Sequence, residues 1–180
     1  MKFVRGGLQM TTIRDCIAPD RNPKVPSIKL PEGSIDTHVH IFESQYPLFE
    51  GRGYNPPDST LDDLKYLHSQ LGVSRVVYTQ PSPYGVDNSA ILKGMKVMND
   101  ETPGRARGVC AIKMDVSDDF LEDLDKQGIK GVRLNMDNIG GMPIGLDEIP
   151  TLEARIKDLG WHVEYLLSLI HISEPTRHRG

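Results

Sequence analysis

Ser-Ile-Asp-Thr-His-Val-His-Ile, residues 34–41, is the stretch from which the fold can be worked out. The side chains of a β-strand alternate between its two faces. One face of the predicted strand is β-branched throughout and suits packing beneath helices: Ile35, Thr37, Val39 and Ile41. The opposite face carries Asp36, His38 and His40, and its two imidazoles converge on one point. This pair is the first candidate for a functional site.

Two imidazoles at this spacing can bind a divalent metal or polarise a carbonyl oxygen, because each neutral ring offers one lone pair and one N–H. For an isolated pair, the alternative is the exposed polar face of an edge strand. The position of the strand favours a functional site. Gly33 and Ser34 open the strand and no helix is predicted before it, so it is predicted to be the first strand of the domain. His38 and His40 are therefore predicted to be catalytic, and to be metal ligands if a metal is used.

The chain has 180 residues, a net charge of −4 at pH 7 and the composition of an ordinary globular protein. It has no basic run, so nucleic-acid binding is not expected, and no apolar stretch suited to a signal peptide or a membrane span. Cys16 and Cys110 are too far apart in sequence to suggest a disulfide framework or a metal-binding pair. We expect a cytoplasmic protein with a small-molecule partner, and the oligomeric state stays open.

Three segments follow from the sequence. Residues 1–33 contain four prolines that prevent regular structure, so an extended N-terminal arm is predicted there. Residues 34–166 form the predicted domain. Residues 167–180 begin Leu-Ser-Leu-Ile-His-Ile-Ser-Glu-Pro-Thr-Arg, which resembles the translated product of a transposase-type sequencing-library adapter. We interpret them as a non-native tail and do not count His171 and His178 as ligands.

Predicted strands and helices alternate along the domain. A leucine-bearing helix, a glycine and a short β-rich run recur at 71–73, 127–129 and 159–161. After the first strand, the predicted strands are 75–80, 106–112, 131–135 and 161–165. The predicted helices lie between them, at about 60–71, at about 87–99, around 120–124 and around 152–159. Strict alternation with short connections indicates parallel strands joined by right-handed crossovers.

A doubly wound sheet and a barrel both fit this alternation. No Gly-x-Gly-x-x-Gly follows any strand, which disfavours a dinucleotide-binding sheet. A (β/α)8 barrel fits better and places His38 and His40 at the C-terminal end of its first strand, where such barrels carry their active sites. A whole barrel needs about 250 residues. The α/β chain is therefore predicted to be the N-terminal half of a (β/α)8 TIM barrel.

Motifs on successive loops carry a resemblance to a known family. They occur in this order: residues 35–42, Tyr54-x-Pro56-Pro57-Asp58, Gln80 to Asn88, Gly104 to Gly108, Gly131 to Asn135 and Gly160 to Val163. Each motif alone is weak, but together they resemble the lactonase branch of the amidohydrolase superfamily, closest to its 2-pyrone-4,6-dicarboxylate lactonase group. The resemblance covers about 35–165.

The resemblance implies a hydrolase that opens a small carboxylated lactone by water attack on a polarised carbonyl. It also implies a water-activating aspartate from strand eight and a histidine from strand six, neither of which is in this chain. The chain alone is therefore expected to be inactive. A metal-dependent decarboxylase, a sugar-acid lactonase and a fragment that only binds remain as alternatives. Zinc is a possible cofactor, although two histidines alone make a poor zinc site.

Five further residues are predicted to bind substrate. Arg133 and Asn135 share a face of strand four, and an arginine there offers a bidentate fork to a carboxylate or else forms a structural ion pair. Ser82 and Tyr84 either bind a substrate carboxylate through their hydroxyls or only shape a proline turn. Tyr54, in the long first loop, either contacts substrate or packs over the barrel mouth.

Some residues receive a structural or an undecided interpretation. His68 lies among polar residues and is predicted to be solvated. His162 and Glu164 share a face of strand five, but the sequence does not show which face is inward. Residues 136–142 read Met-Asp-Asn-Ile-Gly-Gly-Met where the resemblance leads us to expect a second arginine. Because of this departure, the sequence does not fix 2-pyrone-4,6-dicarboxylate itself as the substrate.

Overall fold

A computed structural model describes residues 13–135 and 144–166. Their main element is a parallel sheet in which each strand pairs with its predecessor in the chain. The strands are β1 Ile35–Val39, β2 Arg75–Thr79, β3 Ala106–Cys110, β4 Ile129–Asn135 and β5 His162–Leu166. This sequential parallel order is that of one half of a (β/α)8 barrel, as predicted.

Four helices connect the strands: α1 Leu61–Leu71, α2 Ser89–Glu101, α3 Asp118–Lys126 and α4 Ile149–Ile156. Thr60 caps α1 in a reciprocal box with Asp63, and Gly72 ends it with a φ of 75°. Helix α2 begins two residues later than predicted, because the Asp87 carboxylate accepts the Ser89 N–H in a turn. None of the helices in the described ranges has the length and hydropathy needed to span a bilayer.

The hydrophobic core lies between the sheet and its helices. Its fully buried side chains include Ile41, Tyr78, Ile91, Met95, Met98, Leu121, Leu124, Ile129, Leu134 and Leu152. Helix α2 approaches the sheet closely at Gly94, where an added Cβ would lie 3.0 Å from Ile41 Cδ1 and 3.2 Å from Tyr78 Cζ. The opposite face of the sheet is therefore left to carry the polar site.

Strand β1 departs from the predicted alternation. Asp36 pairs with Val76 and Val39 pairs with Tyr78, so three residues advance along β1 while two advance along β2. This is a β-bulge, and it turns Asp36 away from the face of His38 and His40. The prediction that these three side chains share a face is wrong for Asp36. The predicted apolar face is also incomplete, because Ile35 and Thr37 are exposed while Val39 is buried.

The Asp36 side chain reaches helix α1 instead. Its Oδ2 lies 3.1 Å from Nε2 of His68, whose side chain is only 1% exposed. The prediction that His68 is solvated is therefore wrong. A buried imidazole N–H needs an acceptor, and the bulge brings that acceptor from 32 residues earlier in the chain.

Part of the N-terminal arm docks on the first loop. Arg14–Asp15 and Tyr54–Asn55 form a two-residue parallel pairing, and the N–H of Cys16 donates to the Asn55 carbonyl at 3.0 Å. Nδ2 of Asn55 donates to Asp15 Oδ1 at 2.9 Å. Further along the arm, Arg21 contacts Asp63 at the start of α1. The described part of the arm is thus attached to the loop that carries Tyr54.

Candidate active site

Polar groups from four strands meet at the C-terminal ends of the strands. His38 and His40 come from β1 and the residue just beyond it, Arg133 from β4, and Glu164 from β5. The Thr79 and Gln80 carbonyls at the end of β2 complete the cluster. The C-terminal edge of a parallel sheet is where barrel enzymes place their chemistry, so this cluster is the candidate active site.

His40 is held in one neutral form. Its Nδ1 lies 2.8 Å from the Thr79 carbonyl oxygen, which can only accept, so Nδ1 carries the proton. The pKa of His40 is lowered to about 4, mainly by burial and also by nearby Arg133 and His38, while the Thr79 hydrogen bond opposes the shift. Nε2 is therefore an unprotonated lone pair near neutral pH, and it faces Nη1 of Arg133 at 3.4 Å.

His38 is more exposed than His40 and contacts a carboxylate. Its ring meets that of His40 edge-on, with centroids 5.0 Å apart and planes at 76°. Nδ1 of His38 lies 3.5 Å from Oε1 of Glu164, and nearly half of the His38 side chain is exposed. The sequence correctly places the two imidazoles next to each other, and their environments differ.

Arg133 lies at the centre of the cluster and is 6% exposed. Nη1 donates to the Gln80 carbonyl at 3.3 Å, and Nε lies 3.8 Å from Oε1 of Glu164. Within the described ranges, this buried Nε has no hydrogen-bond partner. Burial lowers the pKa of the guanidinium, and the charge of Glu164 opposes that shift. A buried cation with a donor to spare is suited to receive an anionic group.

Glu164 is the site residue that the sequence left undecided. Besides His38 and Arg133 it approaches the Thr79 hydroxyl, which donates to Oε2 at 3.4 Å. The inward face of β5 is fixed by its register with β4, where Arg133 pairs directly with Glu164. Neighbouring opposite charges on paired strands were the available signal, once the two strands were assumed to be adjacent.

Tyr54 and Ser82 lie together beside Arg133. Burial raises the pKa of the Tyr54 phenol, and a hydrogen bond with the Ser82 side chain opposes this rise. The charge of Arg133 also acts on Tyr54, so the first loop, the second loop and β4 meet at one place. The structure thus brings together three of the five predicted substrate-binding residues.

Tyr84 has other surroundings, and the structure places Asn135 at the end of β4. The Tyr84 hydroxyl accepts the Glu43 N–H at 2.9 Å and donates to the Glu43 carbonyl at 3.2 Å, and the residue is 3% exposed. Its single O–H donor holds the first loop, which favours the structural alternative for this residue. Asn135 ends β4 and is 9% exposed. The stretch 136–142, where a second arginine is missing, lies outside the described residues.

The donor set of residues 13–135 and 144–166 does not fit a zinc ion. In the part of the chain that the structure describes, no three His, Cys, Asp or Glu side chains are grouped to hold a metal. The lone pair of His40 has the form that a metal needs, but a guanidinium nitrogen of Arg133 lies 3.4 Å from it. A dication there would face a buried positive charge, which opposes its binding.

A sequence profile of the amidohydrolase family matches residues 35–180. A 2-pyrone-4,6-dicarboxylate hydrolase from Comamonas testosteroni is 34% identical over 155 residues, which are 85% of this chain and 50% of that protein. A 4-sulfomuconolactone hydrolase from Hydrogenophaga intermedia is 34% identical over 120 residues, covering 66% of this chain and 38% of that protein.

Solved structures give the same result. A probable 2-pyrone-4,6-dicarboxylic acid hydrolase from Acinetobacter baumannii, with citric acid bound, is similar with a TM-score of 0.65 and 27% identity. The match covers 74% of this chain and 49% of that structure. This chain thus spans half or less of the length of the curated relatives and the solved structure that it matches.

Proposed function

Since this chain belongs to the amidohydrolase family, we propose that it supplies the N-terminal half of the barrel of a hydrolase that opens a small carboxylated lactone. The observation that carries the proposal is the buried guanidinium of Arg133 beside two imidazoles at the barrel mouth. A substrate that bears both a carboxylate and an ester carbonyl would match this pairing of a cation with carbonyl-polarising groups. The relatives named for dicarboxylate and sulfonated lactones support that class.

The proposed reaction is hydrolysis of the ring ester. The oxygen of water bonds to the lactone carbonyl carbon, and the bond from that carbon to the ring oxygen breaks. One proton of the water goes to the released ring oxygen. The other is lost from the new carboxylic acid. The products are a carboxylate and a hydroxyl on one open chain, and no oxidant or reductant takes part.

The two imidazoles have different parts in this proposal. The N–H of His40 is occupied by Thr79, so its Nε2 can accept but not donate, and it helps to hold the Arg133 guanidinium. The donor for the developing oxyanion then comes from His38, and Arg133 binds the substrate carboxylate. This refines the expectation that both imidazoles polarise the carbonyl. Tyr54, Ser82 and Asn135 would bind the rest of the substrate, and Tyr84 would act through the loop that it holds.

The base and the setting of the enzyme are also part of the proposal. The resemblance assigns water activation to an aspartate of strand eight, so activity requires this chain to be continued by the second half of the barrel. Loss of a general base lowers rates by about a hundredfold to ten-thousandfold. We therefore expect no measurable lactone hydrolysis from this chain alone.

A cytoplasmic location is supported by its two free cysteines, Cys16 and Cys110.

Substitution of Arg133 tests the substrate class. In a protein that continues this chain through the second barrel half, Arg133→Met should raise KM for a carboxylated lactone about 10- to 100-fold, because a charge-assisted hydrogen bond contributes roughly 1.5–3 kcal/mol. KM for the matching lactone without a carboxylate should change little. Both can be measured by following ring opening in the ultraviolet.

Arg105→Met is the matched control. Arg105 also pairs with a carboxylate, that of Glu101, but at the opposite end of the sheet. Its loss should leave both KM values unchanged. Equal loss of activity toward the two lactones in Arg133→Met, or no lactone hydrolysis by the parent, would contradict the proposal.

A further inference from the structure

The bulge in β1 places one residue of the His-x-His strand outside the active site. A regular strand would direct Asp36 to the same face as His38 and His40. The extra residue between Asp36 and Val39 instead turns the carboxylate to helix α1, while both imidazoles stay with Arg133 and Glu164. Bulges beside active sites commonly redirect side chains in this way.

The Asp36 carboxylate has a partner on each side of this bulge. Oδ1 is 3.4 Å from the backbone nitrogen of His38, and Oδ2 is 3.1 Å from Nε2 of His68. The first contact is within the strand, and the second joins the strand to the last turn of α1. One carboxylate therefore links the backbone of a candidate catalytic residue to a helix.

His68 gives this link a fixed end. Its side chain is 1% exposed, and its carbonyl accepts the N–H groups of Gly72 and Val73 where the helix ends. The imidazole is enclosed and its backbone is held, so it has little freedom to follow a shift of the strand. Asp36, with a side chain one-third exposed, is the less enclosed partner, and His68 is its contact on helix α1.

We propose that Asp36 and His68 are positioning residues, a pair joining β1 to α1 that holds the bulge and thereby directs His38 and His40 into the site. The catalytic consequence rests on the proposed lactone hydrolysis, and the structural consequence does not. Neither side chain touches substrate in this proposal. Both act through the backbone of residues 36–40.

Hydrogen exchange of this chain tests the structural part. In Asp36→Ala and in His68→Leu, amide exchange across residues 36–41 should become at least about fivefold faster than in the parent. His68→Gln should restore most of the protection, because its amide nitrogen can replace Nε2 as the donor to Asp36. A role as apolar filler would favour leucine over glutamine, so this rescue separates positioning from packing.

Asp125→Ala is the matched control. Asp125 also joins a helix to a strand, since its carboxylate accepts the indole N–H of the buried Trp161 at 2.8 Å. Its loss should speed exchange near α3 and β5 but leave residues 36–41 unchanged. Unchanged exchange at 36–41 in Asp36→Ala, or the same increase there in Asp125→Ala, would overturn the proposal.

The catalytic part uses the protein with the second barrel half. His68→Leu should lower kcat for the carboxylated lactone by about tenfold or more and leave KM nearly unchanged, since Arg133 keeps the Gln80 carbonyl and Glu164 as partners outside the bulge. His68→Gln should recover most of kcat. A rise in KM with kcat unchanged would contradict the positioning role. If the parent opens no lactone, the proposed function fails, and the exchange experiment still decides whether the pair holds the bulge.

Discussion

At the scale of single residues, the chemistry of the site depends on which atoms already have partners. His40 gives its only N–H to the Thr79 carbonyl, whereas Arg133 keeps a buried Nε without a hydrogen-bond partner in the described part of the chain. Sequence spacing identifies both residues, but it cannot show this difference, because Thr79 and Gln80 contribute backbone carbonyls that any residue would supply. The proposed division of roles between the two imidazoles rests on the Thr79 carbonyl.

His40 should make stability depend on pH. Its folded-state pKa of about 4 lies below the ordinary histidine value of 6.5, so the unfolded chain binds the proton more readily. The contribution is present above pH 6.5 and is lost as the pH falls toward 4, by about 2 kcal/mol after allowance for partial exposure. Urea unfolding of the parent should show this fall, and His40→Gln should lack it.

His162→Gln is the control for this prediction. This substitution removes an exposed histidine from β5, on the face of the strand that carries Glu164. Its unfolding free energy should follow that of the parent through the same pH range. Parallel pH profiles for the parent and His40→Gln would show that His40 is not held in its neutral form.

At the scale of elements, the sequence predicted features that depend on one segment, but it did not predict contacts between segments. The capped helix α1, with Thr60 and Gly72 at its ends, agrees with prediction because both signals are local. The bulge in β1 has no signature in a sequence that alternates regularly. The pairing of Asp36 with His68 was missed for the same reason, since a polar histidine in a helix looks solvated until its acceptor is known.

The packing of α2 against the sheet is a testable feature of this scale. Gly94→Val should lower the free energy of unfolding by about 1–3 kcal/mol, because the new side chain would be forced against Ile41 and Tyr78. Lys93→Val, one position earlier and exposed, controls for the lower helix propensity of valine and should cost less than about 1 kcal/mol. Denaturant unfolding measures both, and equal losses would mean that α2 does not need a small residue at this contact.

At the scale of the whole molecule, the outer strands dominate the behaviour of this chain. Strand β5 pairs with β4 on one side, and within residues 13–135 and 144–166 no strand pairs with its other side. Leu166 on β5 is 41% exposed and Ile35 on β1 is 44% exposed. Open strand edges with exposed apolar side chains favour association between chains.

Self-association is therefore the expected state of this chain in solution. Sedimentation velocity should show concentration-dependent oligomers, and Leu166→Lys should reduce them by placing a charge on the outer strand. Leu146→Lys is the control, because Leu146 is 69% exposed but lies in a short 3-10 turn outside the sheet. A monomeric parent at all concentrations, or equal effects of the two lysines, would refute the role of the strand edge.

The docked N-terminal arm has a consequence for the order of events during synthesis. Each strand of the sheet pairs with the strand made just before it, so the sheet can grow as the ribosome delivers the chain. Arg14 is different, because its partner Tyr54 is made 40 residues later. The arm remains unpaired while β1 and the first loop emerge. Closing the loop between Arg14 and Tyr54 carries an added entropic cost because it is longer than the connections within the sheet. The pairing of Arg14–Asp15 with Tyr54–Asn55 thus forms only after the loop that carries Tyr54 has been made.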